Sequence, residues 1–249
     1  MLNKFLEFLL KIKSTNEKSL FLFIAKILKP DLIFDVGSRN GNDAKKFRSI
    51  LPKSKIIAFE ANKQLYFKML SNPSLKKGKI ICYNYAVEKK SGVRNFYIFN
   101  EKKGTGSILQ RKNKIFSKIY KVRTISLDNF IEKFKVYKNK IFLWIDIEGA
   151  AYNLIQGAKK TLLNTDAIIV ELEKKKLFKN QKLQSVTINK LKKNFFLVES
   201  SLNSNNSSGN YIFLNKKYQN TSKVMFLIIL YKIYTYYIST KLIIKDLVK

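Results

Sequence analysis

The sequence predicts an α/β protein with a mostly parallel sheet, helices on both faces and an antiparallel edge strand. Short apolar runs of strand length alternate with amphipathic segments from Asp31 onward, the signature of repeated strand-helix units. Two of these runs carry acids into glycine-bearing turns, Ile33-Phe-Asp-Val-Gly-Ser-Arg-Asn-Gly41 and Ile141-Phe-Leu-Trp-Ile-Asp-Ile-Glu-Gly149. With 249 residues, 46% of them hydrophobic, the chain fits one compact domain with additions and a sizeable core.

Before that pattern, residues 1–30 form an expected helical cover. Apolar residues at Leu2, Phe5, Leu6, Leu9 and Leu10, then at Leu20, Phe21, Phe23, Ile24 and Ile27, read as two helices, with Ser14 or Thr15 capping the second. Glu7 and the lack of a small-residue cleavage site argue against a secretory leader. The core region spans 31–216. Its expected strands are Leu32–Val36, Lys55–Phe59, Lys79–Tyr83, Ile141–Ile147 and Ala167–Leu172, with Val93–Phe99 as an added strand and Val122–Ile125 extended. Helices are expected from Ala44 to Ile50, Gln64 to Leu70, Leu127 to Phe134 and Val186 to Lys193, and after Gly149 on the pattern Leu154, Ile155, Ala158 and Leu162. Phe195–Glu199 and Asn210–Leu214, joined by the polar loop from Leu202 to Gly209, close the pattern as an antiparallel edge. The extension 217–249 carries the apolar run from Val224 to Ile238, broken by Lys232 and too short for the ~20 residues a spanning helix needs. It either packs on the domain or a partner subunit, or lies at a membrane interface through Tyr231, Tyr234, Tyr236 and Tyr237 with their flanking lysines.

The formal charge of +32 points to nucleic acid or an anionic membrane, but the kind of cation weakens the first. Only Arg39, Arg48, Arg94, Arg111 and Arg123 are arginines among 49 basic residues, whereas readers of bases and phosphates favour the bidentate guanidinium. A solvated lysine surface fits the composition better, so a specific nucleic-acid partner is not expected. No histidine is present, which excludes Ser-His-Asp and Cys-His catalysis and histidine-ligated zinc. Any general base is therefore a carboxylate, a lysine or a tyrosine. Cys82, the single cysteine, sits among apolar neighbours and reads as a buried structural thiol.

Chemistry concentrates at three strand ends. A strand alternates its side chains, so Asp146 and Glu148 project together if the strand persists through Glu148, and Gly149 lets the chain turn into the next helix. In open α/β sheets ligands bind beyond such carboxyl ends. The pair suits proton transfer or a metal; no third oxygen ligand is apparent, so no metal is expected. Asp35 with Gly37 and Gly41 forms a strand-turn-helix cradle that is neither GxGxxG nor a phosphate loop, and it suits a ligand with a cationic or hydrogen-donor end. Glu60 ends the second strand about 20 residues on, where nucleotide folds grip ribose hydroxyls.

Taken together these segments resemble the FkbM family of S-adenosylmethionine-dependent methyltransferases, from about Asp31 to Lys216. The likeness rests on Ile33 to Gly41, Ile57-Ala-Phe-Glu60, Tyr85-Ala86 with Ser91-Gly92, Val122 to Asp128, Ile145-Asp-Ile-Glu-Gly-Ala150 with Gly157-Ala158, and Ile168-Ile-Val-Glu171. It departs at Ser38-Arg39, where Ala-Asn is usual, and at Ala151, where the family usually carries Glu. The resemblance implies a class I methyltransferase, Rossmann-like, with a seven-stranded sheet. It implies that Asp35, Gly37, Ser38, Asn40 and Gly41 surround the methionine end of S-adenosyl-L-methionine, that Glu60 binds its ribose, that Asn84 and Ala86 lie near its adenine, and that Asp146 sits beside the methyl donor. The expected reaction is O-methylation of a hydroxyl on a sugar, glycan or related small metabolite, with Asp146 or Glu148 as base. Glu148 is equally read as bracing Gly149 through backbone amides. Lysines at Lys102 to Ser107 and from Gln110 to Lys114 suit a phosphate-bearing acceptor. The alternatives are an RNA methyltransferase and a non-catalytic cofactor-binding protein, the latter motivated by Ala151. The expected location is cytoplasmic, with peripheral contact at the inner membrane face as the variant the C-terminal extension allows.

Overall fold

The computed structural model describes residues 16–100, 105–113, 115–201 and 207–247, with side chains in the last helix through Tyr237. The expected first helix, the Ser14 or Thr15 cap, Lys102 to Gly104, Lys114 and residues 202–206 lie outside these.

Chain order begins with α1 (Glu17–Leu28), β1 (Leu32–Val36), α2 (Asn42–Ile50), β2 (Lys55–Phe59), α3 (Lys63–Ser71), α4 (Pro73–Lys77), β3 (Ile81–Tyr83) and β4 (Ala86–Val87). It continues through β5 (Gly92–Asn100), β6 (Thr105–Ser107), β7 (Lys118–Ile125), α5 (Leu127–Lys133), β8 (Ile141–Ile145), α6 (Ala151–Gln156) and α7 (Lys159–Leu163). It ends with β9 (Thr165–Glu173), α8 (Gln184–Leu191), β10 (Phe195–Ser200), β11 (Ser208–Asn215), a short 3₁₀ turn at Lys216–Tyr218 and α9 (Ser222–Leu247).

Seven strands form the main sheet in the order β10-β11-β9-β8-β1-β2-β3. The central pairs β1–β2, β1–β8 and β8–β9 are parallel. The antiparallel strand is not at the edge. β11 lies one position in, antiparallel to both β9 and β10, so β10 holds the edge. The crossover through α8 leaves one strand position open between β9 and β10, and β11 returns antiparallel into that gap.

Residue parity sorts the sheet's two faces. Phe34, Ile57, Leu143, Ile168 and Phe213 pack with Phe130 of α5, Leu154 of α6 and Leu191 of α8. Ile33, Ala58, Trp144, Ile169 and Ile212 pack with Phe21 of α1, Phe47 of α2 and Ile228 of α9. β1 and β8 are buried at all five positions, as central strands covered on both faces must be. The cap of α1 is Asn16, whose side chain accepts from Ser19 N at 3.0 Å.

The single added strand expected between β3 and α5 is in fact part of a second sheet of four strands, in the order β4-β7-β5-β6. Its core is small: Ala86, Phe96, Ile98 and Val122. Gly92 to Asn95 of β5 are exposed, which erased the alternation that would have marked the whole element.

Candidate active site

β8 ends at Ile145, one residue before the acid pair, so Asp146 and Glu148 stand on a turn rather than on a continuing strand. Two glycines make this turn possible. Gly37, at φ 85°, follows β1, and a Cβ there would lie 1.9 Å from the Asp146 carbonyl oxygen. Gly149, at φ 76°, has the Phe178 ring where its Cβ would be, at 2.5 Å. Both positions require glycine for conformation and for closeness of approach.

The bracing expected of Glu148 is done by another acid. Gly149 N donates to Glu173 Oε1 at 2.6 Å, and Gln181 Nε2 donates to Glu173 Oε2 at 2.8 Å. Gln181 Oε1 in turn accepts from the Leu177 and Phe178 amides. Glu148 is fixed instead through its own carbonyl, which accepts from Ser107 Oγ of β6. Its carboxylate is thereby free to face the cavity.

That cavity, of about 490 Å³, opens at the C-terminal ends of β1, β2 and β8 beneath the second sheet. Its wall includes Gly37, Ser38, Asn40, Glu60, Ala86, Asp146 and Glu148 among the residues expected from the sequence. Asp35, Gly41 and Asn84 stand outside it. Asp35 shares the face of Ile33 by strand parity and is completely buried towards α2, its Oδ2 accepting from Ser38 Oγ at 2.6 Å. Gly41 starts α2 at φ 75° against Leu75. Asn84 donates from Nδ2 to the carbonyls of Glu60 and Ala61, tying down the end of β2. Ala151 is buried in the core and does not line the cavity either.

Glu60 clamps the glycine turn. Its Oε2 accepts from Arg39 N and its Oε1 from Asn62 N, both at 2.7 Å. Burial nonetheless pushes its pKa up to about 7. Asp35 is likewise pushed up to about 7, again by burial first.

Around Asp146 the sequence reading missed two partners. Glu171 of β9 lines the cavity and hydrogen-bonds to Asp146, and Lys18 of α1 places Nζ 3.7 Å from Asp146 Oδ2. The same ammonium lies 5.2 Å from the Trp144 ring centroid. Burial raises the Asp146 pKa most, the Glu171 carboxylate raises it further, and Lys18 opposes both. Glu148 is also raised, by burial and then Glu171, with Arg111 pulling the other way. Arg111 is held over Phe99 and Phe178, at 5.9 and 5.7 Å. Despite this third carboxylate, no group of three His, Cys, Asp or Glu among the described residues is placed to hold a metal ion.

Cys82 is half-buried rather than fully buried, and burial pushes its thiol up to about 11. It therefore carries no thiolate near neutral pH.

The far end of the cavity is apolar, formed by Phe59, Leu65, Tyr85, Val87 and Phe96. An apolar slot joined to a carboxylate-rich end fits a ligand with an aromatic base, hydroxyls and a cationic centre. The seven-stranded sheet, doubly wound and with one antiparallel strand, is the fold expected of a class I methyltransferase. The Methyltransferase FkbM domain matches residues 35–208, and the chain belongs to that family. It is 27% identical over 184 residues to the 2-O-methyltransferase NoeI of Sinorhizobium fredii, covering 68% of this chain and 75% of the relative. It is 24% identical over 152 residues to the hexuronic acid methyltransferase AglP of Haloferax volcanii, covering 61% and 59% respectively. A solved structure of Methyltransferase FkbM from Methylobacillus flagellatus aligns with a TM-score of 0.49 at 10% identity, over 75% of this chain and 44% of that one.

Proposed function

We propose that this methyltransferase uses S-adenosyl-L-methionine to O-methylate a hydroxyl of a sugar or glycan, with Asp146 as the general base. The observation that carries the reading is the placement of Asp146 in the cavity wall beside Glu171 and Lys18, in a chain without histidine.

The residues present fit the cofactor: Glu60 and the Ser38–Asn40 turn face the cavity between its apolar and acidic ends. Asp35 acts through Ser38 and Asn84 through the end of β2, as positioning residues. S-adenosylmethionine, when bound, supplies an electrophilic methyl group. The enzyme's own task is then to align the acceptor hydroxyl and take its proton.

Asp146 accepts that proton on its carboxylate. Burial and Glu171 raise the Asp146 pKa to about 8 and Lys18 offsets only part of that rise, so the fraction able to accept a proton grows through neutral pH. Once protonated, Asp146 is stabilised by the hydrogen bond to Glu171. Glu148 faces the same space and binds acceptor hydroxyls. Arg39 and Lys46 also line the cavity, which suits an acidic or phosphate-bearing acceptor, and the hexuronic acid activity of AglP supports this choice.

The test is transfer of labelled methyl to fractionated glycans, nucleotide sugars and total RNA by the wild-type chain and Asp146→Asn. Label in an alkali-stable sugar ether that vanishes in Asp146→Asn supports the proposal. Label in RNA, or cofactor binding with no transfer to any fraction, overturns it.

A further inference from the structure

Helix α9 is apolar on two sides, and one of them packs on the domain. Val224, Ile228 and Tyr231 are buried against the domain, with Tyr231 stacked on Phe23 of α1 at 4.7 Å between centroids. Lys232 reinforces this side, donating to the Val198 carbonyl at 2.7 Å and pairing with Glu199 at 2.9 Å. The opposite side carries Phe226, Ile229, Ile233, Tyr236 and Tyr237, each more than half exposed. Steps of three and four residues put these five side chains in one stripe along the helix.

A soluble domain rarely presents a continuous apolar stripe to water, so the stripe points to a partner. Charge chooses the partner. A second copy of a chain with net charge +32 is repelled at long range, whereas an anionic surface attracts it. Within α9 itself there are four lysines, Lys223, Lys232, Lys241 and Lys245, against the single acid Asp246. Two tyrosines within the stripe match the preference of amphipathic rings for the headgroup region. No helix among the described residues is long and apolar enough to cross a membrane, so the geometry is that of a helix lying in the interface.

We propose that the outward stripe of α9, centred on Phe226, Ile229 and Ile233, docks the enzyme on an anionic phospholipid bilayer. The docked helix is one element removed from the reaction centre. α1 links the two, carrying Lys18 into the cavity and Phe23 beneath Tyr231. The docking surface is argued from α9 alone and stands independently of the acceptor.

The experiment is co-sedimentation of the full chain with phosphatidylcholine vesicles, with and without about a third phosphatidylglycerol, at low salt and at about 0.5 M. Binding should be at least about tenfold tighter to the anionic vesicles and weaken with salt. The exposed double variant Phe226→Ser with Ile233→Ser should lose at least about tenfold while keeping the wild-type melting temperature. Absence of binding, or a double variant that binds like wild type, overturns the proposal. So does a wild-type dimer in sedimentation equilibrium that the double variant dissolves, which would make a second copy the occupant. Thiol labelling of Ile233→Cys without vesicles supplies the last check. Rapid labelling supports an open stripe, and protection that disappears on deleting residues 1–15 would assign the stripe to the chain's own N-terminus.

Discussion

Glu60 and Asp146 occupy matching places, each just past the C-terminal end of a parallel strand and each in the wall of one cavity. Their surroundings differ. Both oxygens of Glu60 accept backbone amides, so this carboxylate holds the Arg39 turn against β2 and has only its remaining lone pairs to offer the cavity. Asp146 has a lysine at 3.7 Å and a second carboxyl group, and such partners tune a proton rather than fix a loop. A strand-end acid is therefore defined by its partners and not by its position. One acid shapes the site, and the other is poised to react in it.

Replacing each acid should separate these roles, with the larger effect at Asp146. Asp146→Asn should lower kcat by about 10²–10⁴ while changing the calorimetric cofactor affinity only a few-fold. Retention of kcat would make Asp146 a second structural acid and erase the distinction. Glu60→Ala should do the reverse. It leaves the Arg39 and Asn62 amides without their acceptors and should weaken cofactor binding by about 10–100-fold, with kcat at saturating cofactor largely kept. By contrast, Gly37→Val is a poor test of binding, because the added side chain meets the Asp146 backbone and dismantles both ends at once.

A smaller effect sharpens the claim about Asp146. A base must be unprotonated, so activity rises with pH through the Asp146 pKa. Lys18→Met removes the charge that lowers this pKa, and the acid limb of kcat/KM should move up by about half to one pH unit. Glu171→Gln removes a carboxylate that raises it, and the limb should move down by a similar amount. Opposite shifts measured in pH–rate profiles are the signature. Shifts in the same direction would mean that another group titrates.

Much of this arrangement was legible in the sequence because it is local. Short continuous apolar runs located β1, β2, β8 and β9, and the glycines marked the turns at Gly37 and Gly149. Strand geometry also contained the placement of Asp35: it shares the parity of Ile33, hence the face towards α2, which takes it out of the cavity wall. Glu171 was visible as the end of Ile168-Ile-Val-Glu171, but only the parallel register, with Val170 opposite Ile145, brings it beside Asp146. Lys18 carried no signal. It belongs to a helix more than a hundred residues away, and an unremarkable lysine among so many acquires a role only through packing. Much of the second sheet escaped notice for a related reason: its pairings are non-local and its longest strand is exposed at one end.

The smallest expected effect tests Glu173, the acid that took over the bracing expected of Glu148. Its pKa is raised from 4.5 to about 7, by burial first, so the folded chain holds a proton that the unfolded chain has released. Below pH 4.5 both states are protonated and the group is neutral to folding. Between 4.5 and about 7 stability falls as pH rises, and above that the whole cost of a buried charge is present. Glu173→Gln does not titrate. The melting temperature of the variant minus that of wild type should therefore climb across this window and level off beyond it. The amide also sets its own NH₂ against Gln181 Nε2, the donor that Glu173 Oε2 now accepts from, and this lowers the variant by an amount independent of pH. The slope of the difference, not its sign at any single pH, thus isolates the carboxylate. A flat difference from pH 4.5 to 8 would show that Glu173 stays charged throughout, held so by the Gly149 amide and Gln181.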